Sequence, residues 1–498
     1  MMTMTTTDEN CIPVHLSVRI FCSNLCKISS TGFSHSNKRY HSYGIASKSN
    51  PLPNDLTIAD ALSLFDQMFY DRPLPSIQDF CRLLTRIVKM KHYFTAISLI
   101  QRFDLLGLRP LIKPTIYTFT IAINCLCHLN RVIFGFSVFG KALKLGYEPD
   151  CTTFTILIRG LCKLGEIHQA VKLFDQFVEN RFQPSVVTYG TLINGLCKSG
   201  DMPAAMILLR RMSESRTCPP DTMVYSTIID SLCKSRQLNE AFHLFYEMIG
   251  KGISPDIVTY TCLIKALCYC KLWEEVKILI EEMFTQRISS NVHTFSILVD
   301  GLCKEGRVTE AHNLVALMIK IDQMPNTITY NSLMDGYCLI GRVDDARKLL
   351  DVMIDNNCAP SVISYSILIN GYCKAKRVDE ALILFKGMSE KGIDPNAITY
   401  TIMIDGFCKK GKLNEANELF SRMKNSGCLP DAWTYNTILR GTLLNNQTSK
   451  AIQFLESMKN SGFSVDVYTT GLLINYLSNE QLDASSTYML EDVIKAEG

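Results

Sequence analysis

The sequence predicts an all-α fold, an α-solenoid of 35-residue helix–turn–helix repeats. Three observations predict it: a ladder of evenly spaced cysteines, two helical apolar patterns per period, and a recurrent chain break between periods. Cys127, Cys162, Cys197, Cys233, Cys268, Cys303, Cys338, Cys373 and Cys408 are 35 residues apart, except for one interval of 36. A fixed period of this length marks stacked two-helix units that cannot bury their apolar faces singly. Ten consecutive units start at Ile116, Cys151, Val186, Thr222, Ile257, Val292, Thr327, Val362, Ala397 and Ala432, and together span residues 116–466. Eight of them end in Pro followed by Asp, Asn or Ser, a helix break joined to a helix cap.

The unit at 397–431, AITYTIMIDGFCKKGKLNEANELFSRMKNSGCLPD, shows the pattern most fully. Its first half carries large apolar residues at helical spacing and stops near Gly411. Its second half places Leu413, Ala416, Leu419, Phe420 and Met423 on one face. An alanine recurs in the second helix (Ala170, Ala205, Ala241, Ala311, Ala346, Ala381, Ala416, Ala451), where a small side chain lets antiparallel helices approach closely.

Degenerate units flank this array. Residues 55–115 hold a lone second helix at 59–68 and an N-terminal capping repeat at 77–115, with about four extra residues around Pro110–Pro114. Residues 467–498 form a partial repeat and C-terminal cap: 467–479 begins another unit, and 486–496 reads as a shortened second helix. End units of a solenoid are atypical because one face meets water. Residues 1–54 differ in composition, with 14 Ser or Thr, five Lys or Arg and two acids. The stretch 14–28 suits a basic amphipathic helix, the profile of an organelle transit peptide. Asp8 and Glu9 are untypical of one, and a disordered tail is the alternative.

Composition removes several classes. Hydrophobic residues make up 47% of the 498 and charged ones 20%, with a mean hydropathy of +0.10, too apolar for a disordered chain. No uncharged apolar run reaches 18 residues, so no inserted membrane segment is expected. Beyond residue 54 the chain carries 46 basic and 46 acidic residues, so a polyanion would need locally placed charges. The 20 cysteines include no CxxC pair, and a thiol recurring once per repeat reads as a small buried apolar residue. No cofactor, metal or enzymatic activity is expected, since no metal-ligand spacing or nuclease-type acidic cluster occurs.

The pattern V-x-T-Y-x-x-L-I-x-G-L-C-K followed by E-A-x-x-L-F-x-x-M and P-D, clear in VVTYGTLINGLCKSG at 186–200, resembles the pentatricopeptide repeat. The uniform length resembles its P class, and the GLCK or GYCK runs and residues 73–91 resemble the restorer-of-fertility-like plant organellar branch. The resemblance implies a right-handed superhelix that binds single-stranded RNA, one base per repeat, read by two or three side chains. It further implies a role in organellar RNA processing, stability or translation, in the mitochondrion or alternatively the chloroplast. Recruited nucleases or processing factors would be further partners, and DNA is not expected. A protein-binding scaffold without RNA readout is the competing reading.

Two residues per unit fit the base-reading role. The fifth residue is Thr120, Thr155, Gly190, Ser226, Thr261, Ser296, Asn331, Ser366, Thr401 or Asn436, each small or polar within an apolar helix. Its place on the first helix puts it toward the groove; close packing is the other account of its size. The last residue is Asp150, Ser185, Asp221, Asp256, Asn291, Asn326, Ser361, Asn396, Asp431 or Asp466. These are also preferred N-cap residues, so capping alone accounts for the second set equally well. It does not account for the first, where short polar residues are neutral or unfavourable inside a helix. A short hydroxyl leaves room for a purine, and the longer Asn reaches a pyrimidine. A carboxylate accepts only, suiting G and U, whereas Asn both donates and accepts, suiting A and C. The expected site, 5′ to 3′ along the array, is G-N-G-G-A-A-Y-A-G-U, with G at Gly190/Asp221 resting on the aspartate alone. The 36-residue third unit could disturb registration there.

The second residues, Tyr117, Thr152, Val187, Met223, Val258, His293, Ile328, Ile363, Ile398 and Trp433, would supply mostly apolar walls between bases. Stacking on aromatic members contributes ~1–3 kcal/mol per base. Lys163, Lys198, Lys234, Lys304, Lys374 and Lys409 directly follow the repeated cysteine, where the family places a phosphate-facing lysine. A helix C-terminus also favours lysine there.

Overall fold

Each unit forms two helices of 13 residues, or 14 for Val186–Ser199, because two backbone stops recur with the period. The fifteenth residue of all ten units adopts positive φ, from Asn130, Gly165 and Gly200 through to Lys376, Gly411 and Asn446. Residue 31 does the same in nine units, from Gly146 to Gly462. A left-handed residue there ends each helix and lets the next amide groups bond back to it, as Lys412 N–H does to Phe407 O at 2.9 Å. In the unit quoted above, the helices are Ala397–Lys409 and Leu413–Asn425.

The computed structural model describes residues 56–70, 74–105, 114–215 and 217–479, and these hold 24 α-helices and no strand. The expectations for residues 1–54 and 486–496 fall outside them. The chain divides into two compact units, Met1–Leu263 and Ile264–Gly498, the division falling inside the helix Ile257–Tyr269. The first holds the helices Ile58–Gln67, Ile77–Lys89 and Tyr93–Leu105 and four complete repeats; the second holds the last five complete repeats and the helix Val467–Asn479. Among the described residues no helix is long and apolar enough to cross a membrane.

Two packing contacts repeat through both units. The fourth residue is aromatic in every unit and in five of them meets a phenylalanine of the preceding second helix edge-on, as in Phe385–Tyr400 (5.1 Å, 74°) and Phe420–Tyr435 (5.4 Å, 70°). The recurrent alanine of the second helix is wholly buried. The extra residue of the third unit falls beyond its second helix, Met202–Glu214, so the helical register is undisturbed and Asp221 still caps the next helix.

The other contact explains the GLCK motif. Cys373 Sγ lies 2.5 Å from where a Cβ on Gly406 of the next first helix would stand, and Cys303 relates to Gly336 in the same way. At these glycines a Cβ would meet the neighbouring sulfur, whereas Ser231 and Ala266 hold the equivalent position in two other units. Burial pushes the thiols of Cys127, Cys268, Cys303, Cys338, Cys373 and Cys408 up to about 12, so they remain protonated at neutral pH. The unfolded chain releases these protons near the ordinary thiol value, about 8.5. Stability is therefore fully present below about 8.5 and falls as pH rises toward 12, where the unfolded state binds fewer protons. Urea unfolding at about pH 8 and about pH 10 should show this loss, and Cys373→Ala with Cys408→Ala should make it smaller. An equal loss in the double variant would contradict this origin.

Candidate nucleic-acid interface

Residues 2, 5, 9 and 13 of a first helix recur at helical spacing on one side, and they build a continuous surface within each compact unit. Position 2 stands out on that side. Tyr117, Val187, Met223, Val258, Ile328, Ile363, Ile398 and Trp433 are all at least half exposed, with Met223 at 73%, although the adjacent residues 3 and 4 are almost entirely covered. Thr152 and His293 are exposed as well. An exposed apolar residue repeated in eight of ten units is a surface prepared to cover flat apolar groups.

The last residue of every unit caps the following helix. Asp431 Oδ1 accepts from the Thr434 amide and the Thr434 hydroxyl, both at 2.8 Å. Asn396 Oδ1 accepts from the amide and hydroxyl of Thr399 at 3.0 and 2.9 Å. Asp150, Asp256, Asn291 and Asn326 repeat the double bond to residue 3, and Asp221 and Asp466 bond its amide. Ser185 and Ser361 cap through Oγ. In Asp and Asn capping occupies Oδ1 and leaves a second polar atom, Oδ2 or Nδ2, outside the cap bond, whereas in Ser185 and Ser361 the single hydroxyl makes the cap. Capping and base reading, alternatives in the sequence, are compatible in the Asp and Asn geometry.

The fifth residues are less open than a groove position suggests, because the next unit's third residue packs over them. Thr120, Thr155, Ser226, Thr261, Ser296, Ser366 and Thr401 each donate to their own helix carbonyl four residues back, at 2.6–2.9 Å. Thr401 is 1% exposed, and Asn331 reaches 9%. Asn331 Oδ1 accepts from Ser364, and Asn436 bonds Ala432 O and the Asp466 amide. Gly190 has only Val224 near its missing side chain, at 3.7 Å.

The lysine row is partly neutralised. Lys234, Lys304 and Lys409 each pair with an aspartate one turn back, Asp230 at 2.5 Å, Asp300 at 2.6 Å and Asp405 at 2.6 Å. The Asp230 bond holds the Lys234 ammonium above its usual range. Lys163 donates to His128 O at 2.9 Å. The position-9 carboxylates escaped the sequence reading, although their four-residue offset from lysine was visible. Polyanion binding must compete with these pairs. Asp230→Asn, Asp300→Asn and Asp405→Asn combined should raise RNA affinity roughly tenfold, at about 0.5 kcal/mol per exposed pair. Titration of a labelled RNA checks this; unchanged affinity would mean the lysines do not meet phosphate.

In the second compact unit these rows converge on an open pocket of about 710 Å³, lined by Lys374, Thr401, Asp405, Lys409, Trp433 and Tyr468 among others. Tyr468 is residue 2 of the partial repeat, 35 residues after Trp433, and is 62% exposed. The sequence reading stopped one unit short of it. Arg440 lies over its ring at 5.7 Å and reaches Asp466 at 4.0 Å. Aromatic faces, cations and polar atoms suit a flexible polyanion with planar groups. Among the described residues no group of three His, Cys, Asp or Glu could hold a metal ion.

Comparison with known proteins agrees with this architecture. Mitochondrial pentatricopeptide repeat-containing proteins of Arabidopsis thaliana are 41% identical over 95 residues and 43% over 96, the second being named putative. Each match covers 19% of this chain and only 14% or 15% of the relative. Among solved structures, PPR10 in complex with an 18-nt psaJ RNA element is 17% identical, with 88% of each chain covered and a TM-score of 0.37. Yeast Rmd9p with a 16-nt target RNA is 12% identical, with 97% of this chain and 94% of that one covered and a TM-score of 0.41. The model of the PPR repeat family matches ten overlapping segments between residues 114 and 479. With that match running through most of its length, the chain belongs to the PPR repeat family.

Proposed function

We propose that this protein binds single-stranded RNA in a sequence-specific manner, one base per repeat, within mitochondrial RNA processing, stability or translation. The observation that carries the reading is the exposed second residue that recurs with the period, beside a capping residue that keeps a further polar atom in eight of the ten units. The pair of residues 5 and 35 selects the base, residue 2 separates successive bases, and the lysines meet phosphate. The core site is G-N-G-G-A-A-Y-A-G-U. Uniform repeat length supports the P class, and the GLCK and GYCK runs support the restorer-of-fertility-like branch. Mitochondrial relatives favour that compartment. The protein acts as a binder, and any cleavage falls to recruited nucleases.

The direct test is affinity for this ten-base RNA against a scrambled one of equal composition. Equal affinity for both would remove the base-reading claim. RNase treatment of an affinity pulldown separates RNA binding from a protein scaffold. Replacing Lys163, Lys198, Lys234, Lys304, Lys374 and Lys409 with Gln should weaken every RNA alike and flatten the salt dependence. The single-strand slope is roughly −0.7 per neutralised phosphate, so removing all six lysines would change it by about four. An unchanged slope counts against the phosphate role.

A further inference from the structure

In most units the third residue of a first helix joins the two side chains that flank it in space, the fifth and last residues of the preceding unit. In the ninth unit, Thr401 Oγ1 lies 2.7 Å from Ala397 O and 2.8 Å from Thr434 Oγ1, which lies 2.8 Å from Asp431 Oδ1. Thr434 is wholly buried. The same chain runs through Thr120, Thr153 and Asp150 at 2.8 and 2.6 Å, and through Ser226, Thr259 and Asp256 at 2.6 and 2.8 Å. It recurs through Ser366, Thr399 and Asn396, both contacts at 2.9 Å. Even the N-terminal degenerate unit keeps part of it, Cys81 Sγ lying 3.4 Å from Thr118 Oγ1.

Counting protons shows what the chain does. Four oxygens in a row, from Ala397 O to Asp431 Oδ1, leave three short gaps, but two hydroxyls supply only two protons. The carboxylate is the strongest acceptor and takes the Thr434 proton. The Thr401 proton then goes inward, to Ala397 O or to Thr434. Either way, Thr401 has no proton left to give a base, and Asp431 Oδ2 can only accept. Such an acceptor-only face suits guanine, whose pairing edge offers two N–H donors, and opposes the acceptor nitrogen of adenine. Asn in place of Asp turns the remaining atom into a donor.

Two units lack the link: in the tenth, Asn436 turns to Ala432 O and the Asp466 amide while Thr469 Oγ1 is buried without a hydrogen-bond partner, and the other is the third. Gly190 is the only fifth residue of the ten without a polar side chain, and the third residue of the next unit is Val224, which has no hydroxyl. Capping alone would not pair these two departures, since Asp221 still accepts from the Val224 amide at 3.0 Å.

We propose that the third-residue hydroxyl is a positioning residue for base selection: it fixes the side-chain orientations of the preceding unit's fifth and last residues. This rests on the base-reading function above. The test uses the full chain and single-stranded RNAs carrying G or A at the ninth base, or at the sixth base as a control. Thr434→Val should lower the ninth-base G-over-A ratio about tenfold, leave the sixth-base ratio within about twofold, and be reversed by Thr434→Ser. A purely structural role would weaken all RNAs alike without moving that ratio, and this result overturns the proposal. A second arm does not depend on Thr434→Val folding. Gly190→Ser should raise the third-base G-over-A ratio only when combined with Val224→Thr. A rise without Val224→Thr, or none with it, also overturns the proposal. Failure of the underlying reading is distinguishable, because the unaltered protein would then show no ninth-base preference and Asp431→Asn would not change it.

Discussion

Replacing Asn396 with Asp should turn a unit that selects A into one that selects G. The substitution keeps the cap, because either side chain offers Oδ1 to the Thr399 amide and hydroxyl, now at 3.0 and 2.9 Å. What changes is the remaining atom, from the donor Nδ2 to the acceptor Oδ2. An acceptor opposite the adenine ring nitrogen leaves two lone pairs facing, whereas guanine presents an N–H there. Breaking one hydrogen bond and making another, at ~1–3 kcal/mol each, corresponds to an inversion of roughly tenfold to a hundredfold or more. Affinities for paired RNAs differing only at the eighth base, measured with both proteins, check it. Asn291→Asp should act in the same way at the fifth base, where Oδ1 likewise accepts from Thr294. A preference that stays with A would reduce the last residue to a helix cap.

Gly406→Ala should be among the most destabilising small substitutions in the second compact unit. Its Cβ would lie 2.5 Å from Cys373 Sγ and 3.2 Å from Cys373 Cβ. The sulfur cannot simply withdraw, because it is packed between adjacent first helices. Overpacking of this kind costs typically 1–3 kcal/mol, and here about 3 is expected. Removing the sulfur should recover most of it, so Gly406→Ala with Cys373→Ala should be far less damaging than the separate losses would sum to. Urea unfolding of the two single variants and the double variant measures that coupling. Additive losses would show that the glycine is needed for some reason other than the cysteine.

Most of the fold was legible in the sequence because a repeat writes the same constraint many times. Position 17 begins the second helix in every unit, and position 13 ends the first in all but the 36-residue unit, where the helix runs one residue further to Ser199. The roles of Asp431 as a cap and of Leu413, Ala416, Leu419, Phe420 and Met423 as one buried face follow from local spacing alone. The regular glycine two residues before the repeated cysteine was legible only as a motif. Its reason is a contact between adjacent units, 33 residues apart in the chain, and no local pattern reveals which side chain approaches a missing Cβ.

The candidate site divides along the same line. Period and residue type determined the helices, the caps and the polar fifth position, because those depend on backbone hydrogen bonds within a few residues. Tertiary structure alone decided that Thr401 turns its proton inward and that Thr434 bridges it to Asp431. It also decided that Lys409 meets Asp405 and that Trp433 and Tyr468 line one pocket. Hydrogen-bond direction and side-chain exposure depend on what the neighbouring unit places about 2.6–3 Å away, and that distance exists only once the helices have stacked.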